Sequence, residues 1–258
     1  MRGLINLGNT CYFNSAVQVL AHVPALTNRL LRDAYGGACD VTREYQAVVT
    51  QLWQRGRDDP VDPGALHRAF CARHASFATA GQHDAQEVIL CMIDILEASL
   101  GLDFIRRIFN GRETQETVYP GGSSNVTGTF TTSVLNPSGP CSLESLLVPK
   151  WRTLEGFTDA GGKTHHVAAV RTVVNSWPML TTFTFWPKAL AELPRTLFGT
   201  HKLFAVVVHV GSADNGHYAV MVRHDKVWYL KDDEAVRRVA SAPTRGPFYM
   251  ALYKNSDS

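Results

Sequence analysis

Residues 3–20, GLINLGNTCYFNSAVQVL, change character at one point. As far as Thr10 the stretch is rich in turn formers, Gly3, Asn6, Gly8 and Asn9; from Cys11 onward apolar side chains recur at helical spacing. Cys11 therefore stands where a turn feeds the first turn of a helix. A thiol at that place meets unpaired backbone N–H groups and the positive end of the helix dipole, both of which favour thiolate. The place would equally suit a small buried cysteine without chemistry, so the rest of the chain has to decide.

Outward from this stretch, the helical pattern runs from Cys11 to about residue 109, most clearly over 12–22, 41–53 and 88–100. Pro24 is expected to end the helix that Cys11 opens, and Asp62-Pro63 to serve as N-cap and first-turn proline for GALHRAFCARH. Between 111 and 140 the chain is rich in Gly, Ser, Thr and Asn and predicts short strands joined by turns such as Pro120-Gly121-Gly122. From His165 onward the runs HHVAAVRTVV, MLTTFTF, KLFAVVVHV, HYAVMVR, VWYL and FYMALY predict a mostly antiparallel sheet. The expectation is an α+β fold in one domain over 1–258, with a helical lobe over 1–110 and a β-rich part over 111–258.

The bulk numbers agree with a globular enzyme-sized chain: 258 residues, 45% hydrophobic and 19% charged. A net charge of +2, with Lys and Arg scattered, argues against nucleic acid as a main partner. No apolar stretch approaches the roughly 20 residues of a membrane helix, and no signal-peptide core is present. The expectation is therefore a monomer without a membrane, intracellular in the cytoplasm, the nucleus or both, and with no room for a targeting domain ahead of Cys11. The five cysteines are odd in number and widely spaced, which predicts reduced thiols.

A second cluster of chemistry-bearing residues lies near the C-terminus. His217 follows Asp214-Asn215-Gly216 at the start of a predicted strand, and Asp232-Asp233 follows VWYLK. Two adjacent strands could hold His217 beside an acid while the helical lobe presents Cys11 across a cleft, the arrangement a thiolate–imidazolium pair requires. Taken singly, His217 also reads as a turn histidine and the acidic pair as a solvated hairpin tip.

Two long motifs favour the first reading. GLINLGNTCYFNSAVQVL resembles the cysteine box of the ubiquitin-specific proteases, and GHYAVMVRHDKVWYLKDDEAV resembles their histidine box. Between them GQHDAQEVI is similar to the segment that in this family binds the extended tail of ubiquitin. The resemblance implies a papain-like fold with thumb, finger and palm regions, and a deubiquitinase that needs no cofactor. It implies Cys11 as nucleophile, His217 as general base, Asp232 as the orienting acid, Asp233 as an accessory acid and Asn6 as the oxyanion-hole side chain. An amide N–H aimed at that charge is worth about 2.7–4 kcal/mol in a comparable acyl-transfer site. By the same resemblance Gln82, Asp84, Glu87, His209, Gly216 and Tyr218 line the groove for the substrate tail, and the partner is ubiquitin or a ubiquitin-like modifier with its conjugates. Asp84 and Glu87 also have the spacing of an ordinary helix cap.

The chain departs from that family in several places. Neither 118–122 nor 157–163 holds the cysteines that carry a structural zinc in many members, so no metal is expected; His165-His166 would point to opposite faces of a strand. The finger ribbon is accordingly expected to be short and held by packing alone. The stretch 183–203 reads as brief, with Trp186-Pro187 where the family has an Arg-Phe pair. Lys231 stands where a phenylalanine usually precedes the acid, which leaves room for Asp233 to share that role. HVGSADNGHY looks like the loop of the member that cleaves the interferon-inducible modifier, so that substrate is an alternative. An inactive ubiquitin-binding module and a papain-like hydrolase of an unrelated amide are the others.

Overall fold

The structure, a computed structural model, describes residues 1–79, 81–212 and 216–256. The first part of the chain forms α1 (Cys11–Leu20), α2 (Pro24–Arg32), α3 (Asp40–Leu52), α4 (Gly64–Arg73), α5 (Ala85–Leu100) and α6 (Leu102–Phe109). Helix α1 is buried along its whole length, packed between α5 and the sheet. Its end is set at Leu20, and Pro24 does more than stop it: with its fixed φ and missing N–H it occupies the first turn of α2, a helix the sequence reading passed over. At α4 the proline sits one place earlier than expected. Pro63 is the N-cap, and the Asp62 carboxylate accepts from the Gly64 N–H at 2.7 Å.

The remainder is built from β1 (Gly111–Tyr119), β2 (Gly122–Phe130), β3 (Ser133–Leu135), β4 (Cys141–Ser142), the short α7 (Leu143–Leu146), β5 (Arg152–Thr158), β6 (Thr164–Ser176), β7 (Leu180–Glu192), β8 (Thr196–Leu197), β9 (His201–Gly211), β10 (Gly216–His224), β11 (Val227–Asp232), β12 (Ala235–Val239) and β13 (Arg245–Asn255). They form two sheets. The finger ribbon is β2-β1-β6-β5, and the palm runs β12-β11-β10-β9-β13-β7-β3, with β4 on β7 and β8 on β9. The palm is antiparallel except where β3 and β4 pair parallel with β7.

Four expectations need correction here. The ribbon is not short, since β1 and β2 have nine residues each and β6 has thirteen. Nor is it held by packing alone. At its tip one Asp159 oxygen accepts from the Gly161 and Lys163 N–H groups, at 2.9 and 3.0 Å, while the other lies 2.8 Å from His165 Nε2. The His165 ring is buried against Tyr119, 4.5 Å between centroids, while His166 is exposed. Finally, β6 belongs to the ribbon rather than the palm, and most of 183–203 is strand, β7 with β8, rather than a brief loop.

The palm's apolar runs are continuous because both of its faces are covered. On β13, Met250 and Leu252 face the helices while Ala251 and Tyr253 face a second cluster with Phe183, Phe185 and Trp228. Side chains alternate with period two, so a strand buried on both faces is apolar at every position. The first cluster joins Leu20, Val88 and Met92 of the helices to Phe204, Val220 and Tyr249 of the sheet, which fixes the helical lobe against β10 and sets the distance across the cleft.

Candidate active site

The turn that precedes α1 is tied to the turn that follows β11. Leu4 N–H donates to the Asp233 carbonyl at 2.9 Å, and Asn6 N–H to the Glu234 carboxylate at 2.7 Å. Gly3 is required for this approach, since a Cβ there would collide with the carbonyl oxygens of Asp233 and Glu234. Two segments more than 200 residues apart thus meet at the N-terminus of α1.

Cys11 is the first residue of α1 and almost fully buried. Its Sγ accepts from the Tyr218 N–H at 3.5 Å and lies 3.8 Å from Gln82 Oε1. Burial pushes the thiol above its ordinary value, against the opposing pull of the Tyr218 N–H, and the nearby Asp233 charge pushes the same way as burial. The N–H groups at the helix N-terminus pull toward thiolate as expected, but desolvation outweighs them and the thiol lies above its ordinary value.

His217 and Asp232 sit at neighbouring strand ends, where β10 begins and β11 finishes. His217 Nε2 is 2.5 Å from Asp232 Oδ1. That bond fixes the ring and leaves Nδ1 as the nitrogen able to exchange a proton with a thiol. The imidazole is about half exposed, its side chain at 48%, so a substrate can reach it. Asp214 and Asn215, the first residues of the motif that precedes His217, lie outside the described residues.

Asp233 serves other partners. Its Oδ2 accepts from Asn6 Nδ2 at 2.7 Å and its Oδ1 from Asn14 Nδ2 at 2.8 Å. Asn6 Oδ1 accepts in turn from the N–H groups of Gly8 and Thr10, at 2.9 and 3.2 Å. The Asn6 amide is held at both ends, with one N–H hydrogen left to donate. Asn14 was not found from the sequence; the signal was an asparagine three residues beyond Cys11, on the helix face that also carries Ser15 and Gln18. Lys231 is also buried, but away from the acids, donating to the Arg2 carbonyl and to Gln18 Oε1, both at 2.9 Å. Burial lowers its pKa to about 7.

Of the expected groove residues, Asp84 caps α5, accepting from the Gln86 N–H at 2.6 Å, and its carboxylate also takes the Tyr249 hydroxyl. Tyr249, another residue missed from sequence, forms an aromatic cluster with Tyr218 and His209; His209 and Tyr218 stack at 4.2 Å. Desolvation drives both tyrosine hydroxyls well above their ordinary value, so they stay neutral donors. Gly216 packs on the His209 ring so closely that any Cβ would strike it. Glu87 is exposed in the first turn of α5. Gln82 is the exception to its expected place: its amide faces the thiol itself.

His217, Asp232 and Asp233 carry donor atoms within 4.8 Å of one another, a spacing a cation could use. The donor set does not favour one, because each Asp233 oxygen already accepts an asparagine N–H and His217 Nε2 faces Asp232. The arrangement suits proton transfer and acyl transfer to sulfur.

The chain matches the model of the ubiquitin carboxyl-terminal hydrolase family over residues 2–198 and 188–253. Among curated proteins it is similar to ubiquitin carboxyl-terminal hydrolase Usp2 of Drosophila melanogaster, 24% identical over 91% of this chain and 32% of that one. It is also similar to ubiquitin carboxyl-terminal hydrolase 9 of Arabidopsis thaliana, 33% identical over 39% of this chain and 12% of that one. The chain thus spans a third or less of the length of these relatives. Among solved structures it resembles a chain of the SAGA Ubp8/Sgf11/Sus1/Sgf73 DUB module bound to ubiquitin aldehyde, with a TM-score of 0.83 at 17% identity over 99% of this chain and 69% of that one. A second structure of that module, bound to monoubiquitin, gives 0.85 at 18%, with the same coverage.

Proposed function

This chain belongs to the ubiquitin carboxyl-terminal hydrolase family, and on that premise we propose that it hydrolyses the peptide or isopeptide bond after the terminal glycine of ubiquitin or a ubiquitin-like modifier. The observation that carries the reading is the His217–Asp232 pair at 2.5 Å, with His217 next in the chain to Tyr218, whose N–H touches Cys11 Sγ. His217 Nδ1 takes the thiol proton as sulfur attacks the carbonyl carbon. The tetrahedral oxygen receives the free Asn6 amide hydrogen and the Cys11 N–H. The protonated imidazole then delivers its proton to the leaving amine. Water, deprotonated by His217, releases the acid from the thioester. Every proton in this cycle passes through His217, and no cofactor is called for.

Asp232 and Asp233 divide the work. Asp232 orients the imidazole; Asp233 aims the Asn6 amide and braces Asn14, so it acts on the oxyanion site rather than on the base. We assign Asp84, Glu87, His209, Tyr218 and the bare backbone of Gly216 to a groove for a glycine tail, with Gln82 at its catalytic end beside the thiol. The core that joins helices to palm supports a single catalytic domain over 1–258.

The test is release of a fluorophore from the C-terminus of ubiquitin and, in parallel, of the interferon-inducible modifier. Turnover of either that vanishes in Cys11→Ala supports the reading, and the faster substrate names the modifier. Binding without turnover of either would replace it with a binding module.

A further inference from the structure

The end of the palm remote from the catalytic residues carries an unbalanced set of cations. Lys202 lies seven residues from His209 along β9, and Arg223 six from His217 along β10, about 20 Å at strand rise. These two, with Arg195, Lys226, Lys254 and Arg238, line three adjoining grooves of 450, 310 and 510 Å³. Lys226 borders all three and Lys202 and Arg223 border two, so the grooves join into one trough.

Asp225 is the one carboxylate among the lining residues; it is 87% exposed and reaches toward His224. Among the described residues none of the six cations forms an ion pair. This is local rather than a property of the composition, since the whole chain has 25 basic and 23 acidic residues. Moreover, Lys254 and Lys202 are paired directly across β13 and β9. Like charges in that register repel and destabilise a sheet, and an anion laid over them relieves the cost.

We propose that this trough docks an acidic, extended segment of a partner protein. Its position separates it from the catalytic cleft, so the partner would be held while the cleft stays open. At one end Arg238, Val239 and Ala240 lead to β12, which borders the palm and has no strand on its outer side among the described residues, leaving backbone groups for an extended chain. Single-stranded nucleic acid fits less well: the aromatic lining residues, Phe204 and Trp228, are each 6% exposed and provide no face on which a base could stack.

Fluorescence anisotropy of a labelled Asp-Glu repeat peptide, with a labelled oligothymidylate of about equal charge in parallel, tests this. The peptide should bind in a salt-dependent way, and about tenfold more weakly to the Lys202→Glu, Lys226→Asn double variant. Lys163→Glu on the ribbon should bind as wild type. Folding is controlled within the experiment, because Lys202→Glu gives Lys254 an opposite charge and should raise the melting temperature as binding falls. No peptide binding, unchanged binding in the double variant, or tighter binding of the oligothymidylate by the wild type would each overturn the proposal.

Discussion

The molecule contains the same side-chain pair twice, in regions of opposite exposure. At the ribbon tip His165 Nε2 lies 2.8 Å from Asp159 Oδ2; at the palm edge His217 Nε2 lies 2.5 Å from Asp232 Oδ1. The first pair is closed: the two side chains are 5% and 15% exposed, Asp159 is further engaged by turn N–H groups, and Tyr119 covers the imidazole. The second is open at 48% and 34%, and a neighbouring backbone N–H holds a thiol. A histidine bound to a carboxylate is therefore not a catalytic signature by itself. An accessible second nitrogen and a nucleophile across from it make the difference.

The largest effect expected from breaking this comparison is at the open pair. Asp232→Asn should lower kcat/KM by about 10²–10⁴-fold, because the ring loses its anchor, whereas Asp159→Asn should leave turnover of a small tail substrate unchanged. Steady-state kinetics on the two variants decide it. Next comes Asp233→Ala. If it aims Asn6, kcat should fall by about 10²–10³-fold with little change in KM, and Asn6→Ala should show the same loss without adding to it. A loss in Asp233→Ala that adds to that of Asn6→Ala but not to that of Asp232→Asn would instead place it on the base with Asp232.

A smaller effect is expected at Lys231, buried against Arg2 and Gln18. The folded pKa of about 7 lies below the ordinary lysine value of 10.5. The folded state therefore binds fewer protons between those values, and stability should rise as pH climbs from about 7 toward 10.5 and be flat below. Lys231→Met should be stabilising by about 1–3 kcal/mol at neutral pH and abolish that slope, as read by denaturant unfolding. The smallest effect is at the closed pair. The His165 bond holds the Asp159 carboxyl below its ordinary 3.8, so its contribution is complete above that value and drains away as pH falls below it. Asp159→Asn should lower the melting temperature slightly at neutral pH and remove the further fall in acid.

What the sequence could reveal follows the same division. Cys11, the helix it opens and the strand carrying His217 were legible because their signals are local: a turn meeting a helical period, or a β run after a glycine. Asn14, Lys231 and Tyr249 were not, because their roles are made by partners far along the chain; Asn14 meets Asp233 across 219 positions. The ribbon was misjudged for a different reason. Missing cysteines argued for a short element, but its length is set by backbone pairing among Thr-, Val- and Ala-rich strands, and its tip by one carboxylate satisfying a turn and a histidine together. Helix α2 was hidden behind Pro24, which ends one helix as readily as it begins another.

We propose that Cys11, served by the open pair, attacks a ubiquitin-type tail. The most direct test is the intact mass of wild type, Cys11→Ala, His217→Ala and Asp159→Ala after exposure to ubiquitin with an electrophile at its C-terminus. One adduct is expected on wild type and Asp159→Ala, none on Cys11→Ala, and strongly slowed labelling on His217→Ala. An adduct that persists in Cys11→Ala, or that is lost in Asp159→Ala but kept in His217→Ala, would contradict it.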